Sequence, residues 1–513
     1  MEHKLTNKEL QEAIIVEKEK GISDIEIGKK YGVNLRYIER VITKAKGVNV
    51  SVLRTSKKIK SLHPEDFHEE KTTVWSFKQR GNWATHSGEY RGNWSPYIPR
   101  NVILKYSKPG EIVLDYFCGA GTTAVEAKLL GRKCIALDIN NKAIELAKTN
   151  VNFKITSQQL KLMDNELNLP IYEPQLSVDD ARDLSFIQNN SMDLICAHPP
   201  YSNIIHYTDS KEGDLSFLGI DEFLNEMAKV AAESFRVLKP GRQCAILIGD
   251  MRKQKHVVPL GFKLIDVYLK AGFKLRELII KRQHNCKTTG FWYANSIKYN
   301  FLLLAHEYLP IFEKPVPTTI VKEEAVSYKS ITPKLIKPPL KKRLQELETT
   351  TVWIFSEKDF DERLNTNVIE RYWTNDGYVT FDLFTGSGIH TQASRPKKKQ
   401  RNSLVYIKAL PENNDLFNYD VEEYLKEINA ITEKESQNLN KGGVVAVLTQ
   451  DIRKNGYLIP FSKYITDAIN INNLWLKEIV IVTKSVQANN LNSIDNEFLK
   501  INHHYLLVYE MKK

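Results

Sequence analysis

The sequence EIVLDYFCGAGTTAVEAKLLG, residues 111–131, decides the fold of the central part of the chain. An apolar strand pattern leads into a glycine loop, and a helical pattern begins at Thr122. Gly119 and Gly121 let the backbone turn sharply and approach a ligand more closely than any side chain would permit. A strand, a glycine loop and a helix in this order are typical of a Rossmann-like α/β domain.

Two acidic residues follow the glycine loop along the chain. Asp138 ends the next apolar segment, KCIALDI, where an acidic side chain is expected to accept hydrogen bonds from ribose hydroxyls. Asp183 follows another apolar stretch and is predicted to meet an adenine amino group, unless it only caps a helix. The loop has neither the GxGxxG pattern nor a P-loop lysine. The sequence therefore predicts a nucleoside ligand without a pyrophosphate, and S-adenosylmethionine fits better than NAD or ATP.

A second motif, DLICAHPPY at 193–201, ends an apolar strand in two prolines. Pro199 and Pro200 hold the chain extended and lack N–H donors, which leaves a backbone carbonyl free to accept. We predict that His198 and the Pro199 carbonyl accept hydrogen bonds from the amino group of a base, and that Tyr201 stacks on that base. The histidine must then be neutral, because an imidazolium cannot accept. The alternative is that the proline pair only terminates the strand.

Together, DxFxGxG-T-T, the acid at 138 and PPY resemble the DNA amino-methyltransferases that modify adenine N6 or cytosine N4. The resemblance covers residues 72–310, and the glycine loop precedes PPY as in the gamma arrangement. It implies S-adenosylmethionine as cofactor, double-stranded DNA as substrate and direct in-line transfer of the methyl group. Two sets of site residues follow from it: cofactor contacts at Asp115, Phe117, Gly119, Gly121, Thr122, Asp138 and Asp183, and catalytic residues His198, Pro199, Pro200 and Tyr201.

His198 departs from the family pattern, which usually has Asp or Asn there in adenine enzymes and Ser in many cytosine-N4 enzymes. Motif order slightly favours adenine N6, with cytosine N4 a close second. Two other functions stay open. One is an RNA methyltransferase of the tRNA guanine-N2 type, which shares the loop and a PPY-type turn. The other is a non-catalytic DNA-binding regulator.

The N-terminal residues 1–47 are predicted to form a helix-turn-helix unit, with two short helices meeting at Gly32. The second helix would present Arg36, Arg40 and Lys44 at i, i+4 and i+8. This basic stripe suits a DNA groove or phosphate backbone, unless it is only a solvated face.

A length of 513 residues predicts two or three domains, and the sequence pattern predicts three parts. After the helix-turn-helix unit come a catalytic S-adenosylmethionine-dependent methyltransferase domain at 72–315 and a degenerate second copy at 346–513. Polar, lysine-rich or proline-rich linkers are predicted at 48–71 and 316–345.

Three segments recur in the same order, which predicts an internal duplication. They are TTVW at 72–75 and 350–353, DYFCGAG at 115–121 against DLFTGSG at 382–388, and GDMRK at 249–253 against TQDIRK at 449–454. The second copy has no PPY and no acidic strand end, so it is predicted to grip DNA or fix sequence choice without catalysing. Its RPKKKQR segment, 395–401, is predicted to contact phosphates. Asp250 and Arg252 recur as Asp451 and Arg453, which favours a structural role such as an ion pair.

Two further segments are rich in aromatic and basic residues. RGNWATHSGEYRGNW at 80–94 is predicted to close over cofactor or DNA, or else to form a surface turn. RQHNCKTTGFWYANSIK at 282–298 is predicted to reach a base or phosphates.

Composition indicates the kind of partner and the cellular compartment. The net charge of +11 suggests a polyanionic partner, or simply a basic protein. The five cysteines form no CxxC pair, so reduced thiols are expected rather than disulfides or a zinc site. No apolar run is long enough for a membrane span and the first residues are charged. A cytoplasmic protein is therefore expected, with a cognate restriction endonuclease encoded separately as a candidate partner.

Overall fold

The computed structural model has two mixed sheets preceded by a small helical unit. It describes residues 7–20, 22–34, 37–38, 41–42, 59, 61–65, 67–86, 88, 90, 92–154, 170–200, 214–284, 290–316, 344–374, 377–384, 389–394, 401–410, 421–485 and 497–512. Among these residues, no helix combines the length and apolar character that a membrane crossing requires.

The helical unit contains α1 (Asn7–Glu19) and α2 (Asp24–Tyr31). Ser23 begins α2 with a capping box, in which its side chain accepts from the backbone of Glu26 and the Glu26 carboxylate accepts in return. Gly32 ends α2 at a φ of 65°, which confirms the predicted turn. The core of the helical unit is formed by Ile14, Ile27, Ile38, Val41 and Ile42. Arg36, Arg40 and Lys44 lie outside the described residues, so the basic stripe stays a prediction.

The first sheet has eight strands in the order β1-β9-β10-β6-β5-β2-β3-β4. Their bounds are β1 (Val74–Trp75), β2 (Ile112–Asp115), β3 (Lys133–Asp138), β4 (Gln175–Val178), β5 (Met192–Ala197), β6 (Leu238–Ile246), β9 (Lys274–Arg282) and β10 (His306–Glu313). Only β10 among them runs antiparallel to its neighbours. This is a Rossmann-like strand order. β3 and β4 follow on one side of β2, and β5 lies on the other side, so the strand order reverses between β2 and β5. At this switch point a crevice opens at the carboxyl ends of the strands.

The apolar residues that directly precede β10 contact the second half, since β10 begins only at His306. Leu303 forms an isolated bridge with Thr350 of the second half, so these apolar residues are buried by a contact between the halves.

Helices cover both faces of this sheet. They are α3 (Tyr97–Tyr106), α4 (Thr122–Leu129), α5 (Asn141–Val151), α6 (Ile220–Val237), α7 (Leu260–Lys270) and α8 (Gly290–Tyr299), with a 3₁₀ turn at Leu215–Phe217. Successive residues of a strand face opposite sides. Accordingly, Leu194 packs in a cluster with Ile103 of α3, and Ile195 packs in another with Phe223 of α6.

The second sheet has seven strands in the order β11-β18-β19-β15-β14-β12-β13. The bounds are β11 (Val352–Phe355), β12 (Gly377–Phe384), β13 (Ile389–Ser394), β14 (Asn402–Ala409), β15 (Leu439–Thr449), β18 (Leu474–Lys484) and β19 (His503–Met511). Three helices accompany it: α9 (Phe360–Tyr372), α10 (Val421–Ser436) and α11 (Phe461–Ala468). Short hairpins complete both halves, β7 (Met251–Lys253) with β8 (His256–Val258), and β16 (Ile452–Lys454) with β17 (Tyr457–Ile459).

The first six strands of the two sheets occur in the same order. The order is β1, β9, β10, β6, β5, β2 in the first sheet and β11, β18, β19, β15, β14, β12 in the second. They diverge at β13, which pairs antiparallel with β12, whereas β3 lies parallel to β2. This correspondence supports the interpretation of a duplicated unit. The division into three domains stays a prediction.

The two halves contact each other through matching ion pairs. Arg252 of β7 donates to the fully buried carboxylate of Glu478 in β18 at 2.5 Å. Arg453 of β16 donates in the same way to Glu277 of β9. The structural role predicted for the recurring arginines is confirmed, with partners in the opposite half. Asp250 serves differently, because it accepts the backbone N–H of Gly261 at the start of α7.

A second pair of contacts has the same symmetry. The Thr73 hydroxyl lies 2.8 Å from Nδ1 of His503, and the Thr351 hydroxyl lies 2.9 Å from Nδ1 of His306. Thr72 also forms a parallel bridge to Lys500. The halves are therefore related by an approximate twofold arrangement, and each covers a sheet edge of the other.

The Arg252–Glu478 pair should contribute measurably to stability. Glu478 also accepts the N–H of Leu302 at 2.9 Å, so Glu478→Gln keeps an oxygen there but removes the charge facing Arg252. In a double-mutant cycle with Arg252→Met, we expect a coupling free energy of about 1–2 kcal/mol from urea unfolding. Glu422→Gln removes an exposed partner of Lys426 and should leave the unfolding midpoint unchanged. A coupling of zero would remove this pair from the stabilising contacts.

Candidate active site

A cleft opens at the carboxyl ends of β2, β3 and β5. The strand ends and their loops supply Tyr116, Phe117, Cys118, Gly119, Asp138, Ile139, Asp179, Asp180, Ala181, His198 and Pro200. The rest of the wall comes from Tyr90, Gly92, Asn93, Trp94, Asp214 and Leu215. The strand order therefore brings the glycine loop and the HPP turn to one place, as the sequence predicted.

The glycine loop is shaped by hydrogen bonds from behind. Asp115 is buried and accepts the N–H of Phe117 at 3.0 Å, and burial raises the pKa of this carboxyl to about 7. Gly119 has a φ of 51° and donates its N–H to Asp138 at 2.9 Å. A Cβ on Gly119 would lie 3.0 Å from the Tyr90 ring, so only glycine leaves room for this neighbour.

Four of the seven predicted cofactor contacts do not line the cleft, and three of these four lie in or directly after the glycine loop. Asp115 lies behind the loop, as described above. Gly121 has a φ of 80°, and a Cβ there would lie 3.0 Å from Ala147 of α5, so it serves helix packing. The Thr122 hydroxyl donates to Oδ1 of Asn93 at 2.5 Å. These residues support the loop, whereas Phe117, Gly119 and Asp138 form the wall.

Of the two acidic residues predicted after the glycine loop, one lies in the cleft wall and the other does not. Asp138 accepts the N–H groups of Gly119 and Asn140, each at 2.9 Å, and burial raises its pKa to about 6. Asp183 is exposed and accepts the N–H of Ser185 at 3.0 Å. Hydrogen bonds from the Ser185 side chain and then from its backbone hold the pKa of Asp183 below the usual value. The structure therefore places Asp183 outside the cleft wall and does not support the adenine contact predicted for it. The residues that line the cleft directly after β4 are Asp179 and Asp180.

Sequence reasoning missed Asp179 and Asp180 because β4 is only four residues long and carries no clear apolar pattern. Asp180 is engaged by the guanidinium of Arg182 at 2.9 Å. Asp179 is partly exposed in the cleft wall. The segment VDDARD offered three acids, and only the position of the strand end distinguishes them.

The segment 80–94, hereafter the roof segment, covers the cleft with its described residues. Arg80 donates to the carbonyls of Asn93 at 2.6 Å and Trp94 at 3.0 Å, which closes the segment on itself. The hydroxyl of Thr85 donates to the carbonyl of Asn150 at the end of α5. Its described residues lie over the cleft, and these backbone contacts make it a fixed part of the cleft wall. Closure over cofactor or DNA stays a prediction.

A buried carboxylate in α4 anchors the roof segment. Glu126 accepts the Trp83 indole N–H at 2.7 Å and an Arg100 N–H from α3 at 2.9 Å, and its Oε1 lies 2.7 Å from Nε2 of His86. Burial alone would raise the pKa of Glu126, but Arg100 and His86 outweigh it, so the pKa lies below its usual value. Sequence reasoning missed this cluster, because its members come from three separate segments without a shared motif.

His198 separates the cleft from a second cavity. Its ring stacks on the Trp94 indole, with 5.6 Å between centroids and 21° between planes. Burial lowers its pKa to about 4, with Glu307 opposing and Lys281 adding to the effect. The imidazole is therefore neutral at neutral pH, as the sequence-based interpretation requires. Pro200 lies in the cleft wall and Pro199 in the second cavity, while Tyr201 lies outside the described residues.

The second cavity has a basic lining. Lys78, Arg80, Lys281, Arg282 and His284 contribute to it, together with Phe77, Leu247 and Glu307. Glu307 accepts from Lys281 at 2.8 Å, so part of this charge is balanced. The basic residues suit an anionic, phosphate-bearing ligand. Within the described residues, no cluster of side chains is suited to hold a metal ion, and the four cysteines there are buried and unpaired by disulfides.

Comparisons with known proteins agree with this geometry. A family model described as DNA methylase, of the N6/N4 type, matches residues 12–149 and 192–407, and one described as an RMKL-like methyltransferase domain matches 102–255. The type II methyltransferase M2.LlaDCHI of Lactococcus lactis subsp. cremoris is 37% identical over 82 residues, which cover 15% of this chain and 29% of that protein. Type II methyltransferase M.HpaI of Haemophilus parainfluenzae is 35% identical over 15% of this chain and 26% of its own.

A third relative acts on another class of molecule. The tRNA (guanine(10)-N2)-dimethyltransferase of Methanothermobacter thermautotrophicus is 30% identical over 28% of this chain and 37% of that protein. The chain thus spans less than two fifths of each of these relatives. Among solved structures, TrmN from Thermus thermophilus aligns with a TM-score of 0.27 and 21% identity, over 44% of this chain and 50% of that one.

Proposed function

The chain belongs to the N6/N4 family of DNA methylases, and on this premise we propose that it transfers a methyl group from S-adenosylmethionine to an exocyclic amino group of a base in double-stranded DNA. The observation that carries the proposal is the position of His198 and Pro200 in the same cleft wall as Phe117, Gly119 and Asp138. A cofactor at the glycine loop and an amino group at His198 would then meet within one cleft.

The cleft residues fit the cofactor. Gly119 gives close access to the backbone, and Asp138 keeps acceptor capacity beyond the two N–H groups it already accepts, because a carboxylate has about four lone-pair sites. Asp138 would hold the ribose hydroxyls, Phe117 would pack against the nucleoside, and Asp179 would take the adenine contact. When bound, S-adenosylmethionine supplies an electrophilic methyl group.

His198 would prepare the base. An exocyclic amino nitrogen conjugated with its ring is a poor nucleophile, and acceptors on its N–H groups favour the tetrahedral form with a directed lone pair. A neutral imidazole nitrogen is such an acceptor. The Pro199 carbonyl would accept the other N–H, and Tyr201 would stack on a base rotated out of the duplex. The basic second cavity would hold the flanking phosphates.

Adenine N6 is slightly favoured over cytosine N4 on motif order, and His198 matches neither usual residue. A tRNA substrate is the alternative that a specific observation favours, namely the likeness to a tRNA guanine-N2 enzyme. The N-terminal helical unit, with the predicted stripe Arg36, Arg40 and Lys44, favours DNA. A regulator without catalytic activity is the less favoured alternative, because the cleft residues that would bind the cofactor and the base are present.

The other parts of the chain would serve DNA binding. We propose that residues 346–513 form a degenerate copy that grips DNA beside the catalytic unit at 72–315, as in a dimer fused into one chain. The matching ion pairs between the halves support this interpretation. The reaction would take place in the cytoplasm at the chromosome, and a separately encoded endonuclease would be the functional partner.

The test is to incubate the protein with methyl-labelled S-adenosylmethionine and unmethylated genomic DNA or tRNA, and to identify the labelled nucleoside after digestion. Label in N6-methyladenine or N4-methylcytosine supports the proposal and names the base. Label in tRNA alone moves the assignment to RNA. Cofactor binding without transfer to either substrate would favour the regulator.

Cofactor affinity should depend on pH through Asp138. The pKa of this carboxyl is raised to about 6, so the charged acceptor is present above pH 6 and is lost as the pH falls through that value. We expect the Kd of S-adenosylmethionine to rise about tenfold between pH 7 and pH 5, measured by calorimetry. Asp138→Asn should bind weakly at all pH values. Asp183→Asn, on the exposed turn, should keep the wild-type profile. A flat wild-type profile would contradict the assigned role.

A further inference from the structure

We infer that Gly92 and Trp94 of the roof segment position His198, by fixing which ring nitrogen accepts and the plane in which the ring lies. Neither residue touches the reacting atoms in this scheme. The inference rests on the proposed function, because it assigns the acceptor nitrogen of His198 to the amino group of the base.

The first contact concerns the tautomer. A backbone hydrogen bond with Gly92 favours the protonated ring of His198, as donation from one ring nitrogen to the Gly92 carbonyl would. A neutral imidazole has one N–H and one lone pair. Once the N–H points at a backbone carbonyl, the other nitrogen is the acceptor. A backbone group cannot change its hydrogen-bonding character, so this choice is independent of the bound ligand.

The second contact concerns the plane of the ring. The indole of Trp94 is only 6% exposed and lies nearly parallel to the imidazole, at 21° and 5.6 Å. A partial rotation of the imidazole about its Cβ–Cγ bond would break this stacking. A half-turn would keep the ring plane but would break the hydrogen bond with Gly92. The acceptor nitrogen is thereby held in one direction. An aspartate, asparagine or serine at this position would not need a neighbouring segment to orient a ring.

The two contacts are themselves held by the protein. The carbonyls of Asn93 and Trp94 both accept from Arg80, and the Asn93 side chain accepts from Thr122 at the start of α4. The stretch from 92 to 94 is therefore tied to its own segment and to the glycine loop. The same stretch lines the cofactor cleft, so the ring of His198 and the cofactor wall share one support.

Charges around His198 act in both directions. Glu307 favours the imidazolium, whereas Lys281 and Arg80 oppose it, and burial has the largest effect. Trp94 supplies part of this burial. Removing the indole should admit water to the ring and raise the pKa of His198 from about 4 toward its ordinary value of 6.5.

The test uses the full chain labelled with ¹⁵N-histidine, and the His198 signals are assigned by their loss in His198→Gln. In the wild type we expect one neutral tautomer that persists to about pH 5. In Trp94→Ala we expect a raised His198 pKa and a mixture of tautomers, and Trp94→Phe should restore most of the wild-type behaviour. An unchanged pKa and tautomer in Trp94→Ala would overturn the inference. Should Trp94→Ala fail to fold, Trp94→Leu supplies the same comparison.

A methylation assay gives the second measurement. The acid limb of the rate profile should move to higher pH in Trp94→Ala, because more His198 is then protonated. Trp475→Ala is the matched control: Trp475 lies 5.6 Å from the ring of His256 in another part of the molecule, and its loss should leave the profile unchanged. Transfer to no nucleic acid by the wild type would refute the proposed function, while the spectra would still decide the inference. Normal transfer with unchanged spectra in Trp94→Ala would refute the inference alone.

Discussion

Replacing His198 by alanine should lower the rate of methyl transfer by about 10²–10³-fold, because it removes one acceptor that directs the amino nitrogen. The effect belongs to the chemical step, since alanine leaves the glycine loop and Asp138 in place. The Kd of S-adenosylmethionine should therefore stay within about twofold of the wild-type value. His198→Gln keeps a carbonyl oxygen near the same position and should fall between the two.

Single-turnover measurements with excess enzyme would isolate this step. His256→Ala serves as the control, because this histidine lies against Trp475 and away from the cleft. Since the pKa of His198 is about 4, the wild-type rate should show no loss from its protonation above pH 5. A His198→Ala rate within about threefold of the wild type would refute the assigned role.

Replacing Glu126 by alanine should lower the free energy of unfolding by about 3–5 kcal/mol. Glu126 is fully buried, and its loss leaves the guanidinium of Arg100, the indole N–H of Trp83 and the ring of His86 without their common partner. An unpaired buried cation costs far more than the same cation in water. Glu126→Gln keeps one acceptor oxygen and should cost less.

Urea unfolding followed by circular dichroism measures this effect. The matched control is Glu145→Ala on the neighbouring helix, where an exposed carboxylate contacts Lys148, and no change in midpoint is expected. Cofactor binding should weaken along with stability in Glu126→Ala, because the roof segment loses its anchor. A decrease of less than about 1 kcal/mol would show that the donors find other partners.

Local motifs made part of the site predictable. Gly119, Asp138 and His198 each sit where a strand ends, and the strand pattern gave their positions along the chain. Asp183 was misplaced, because β4 is short and partly exposed and its end is invisible in the apolar pattern. The roof segment was recognised by its composition. Its contacts with Glu126 and His198 were not, because they join residues up to about a hundred positions apart with no periodicity between them.

In the second half, too, some features could be predicted from sequence and others could not. Recurring segments predicted its relation to the first half, and the arginines of GDMRK and TQDIRK were assigned a structural role from their recurrence alone. Their partners, Glu478 and Glu277, lie more than 170 positions away in sequence. No local pattern distinguishes these glutamates from other strand residues, so the contact between the halves became visible only in three dimensions.

The bridge from Thr72 to Lys500 has a consequence for synthesis on the ribosome. The edge of the first sheet beside β1 is completed by Lys500, whose backbone pairs with Lys71 and Thr73. At a translation rate of about 5–20 residues per second, the roughly 200 residues that follow the first half take about 10–40 s to make. During that time the nascent chain carries an open β edge, which is a template for pairing with other chains. The nascent first half should therefore be a client of ribosome-associated chaperones until Lys500 has been made and has paired with this edge.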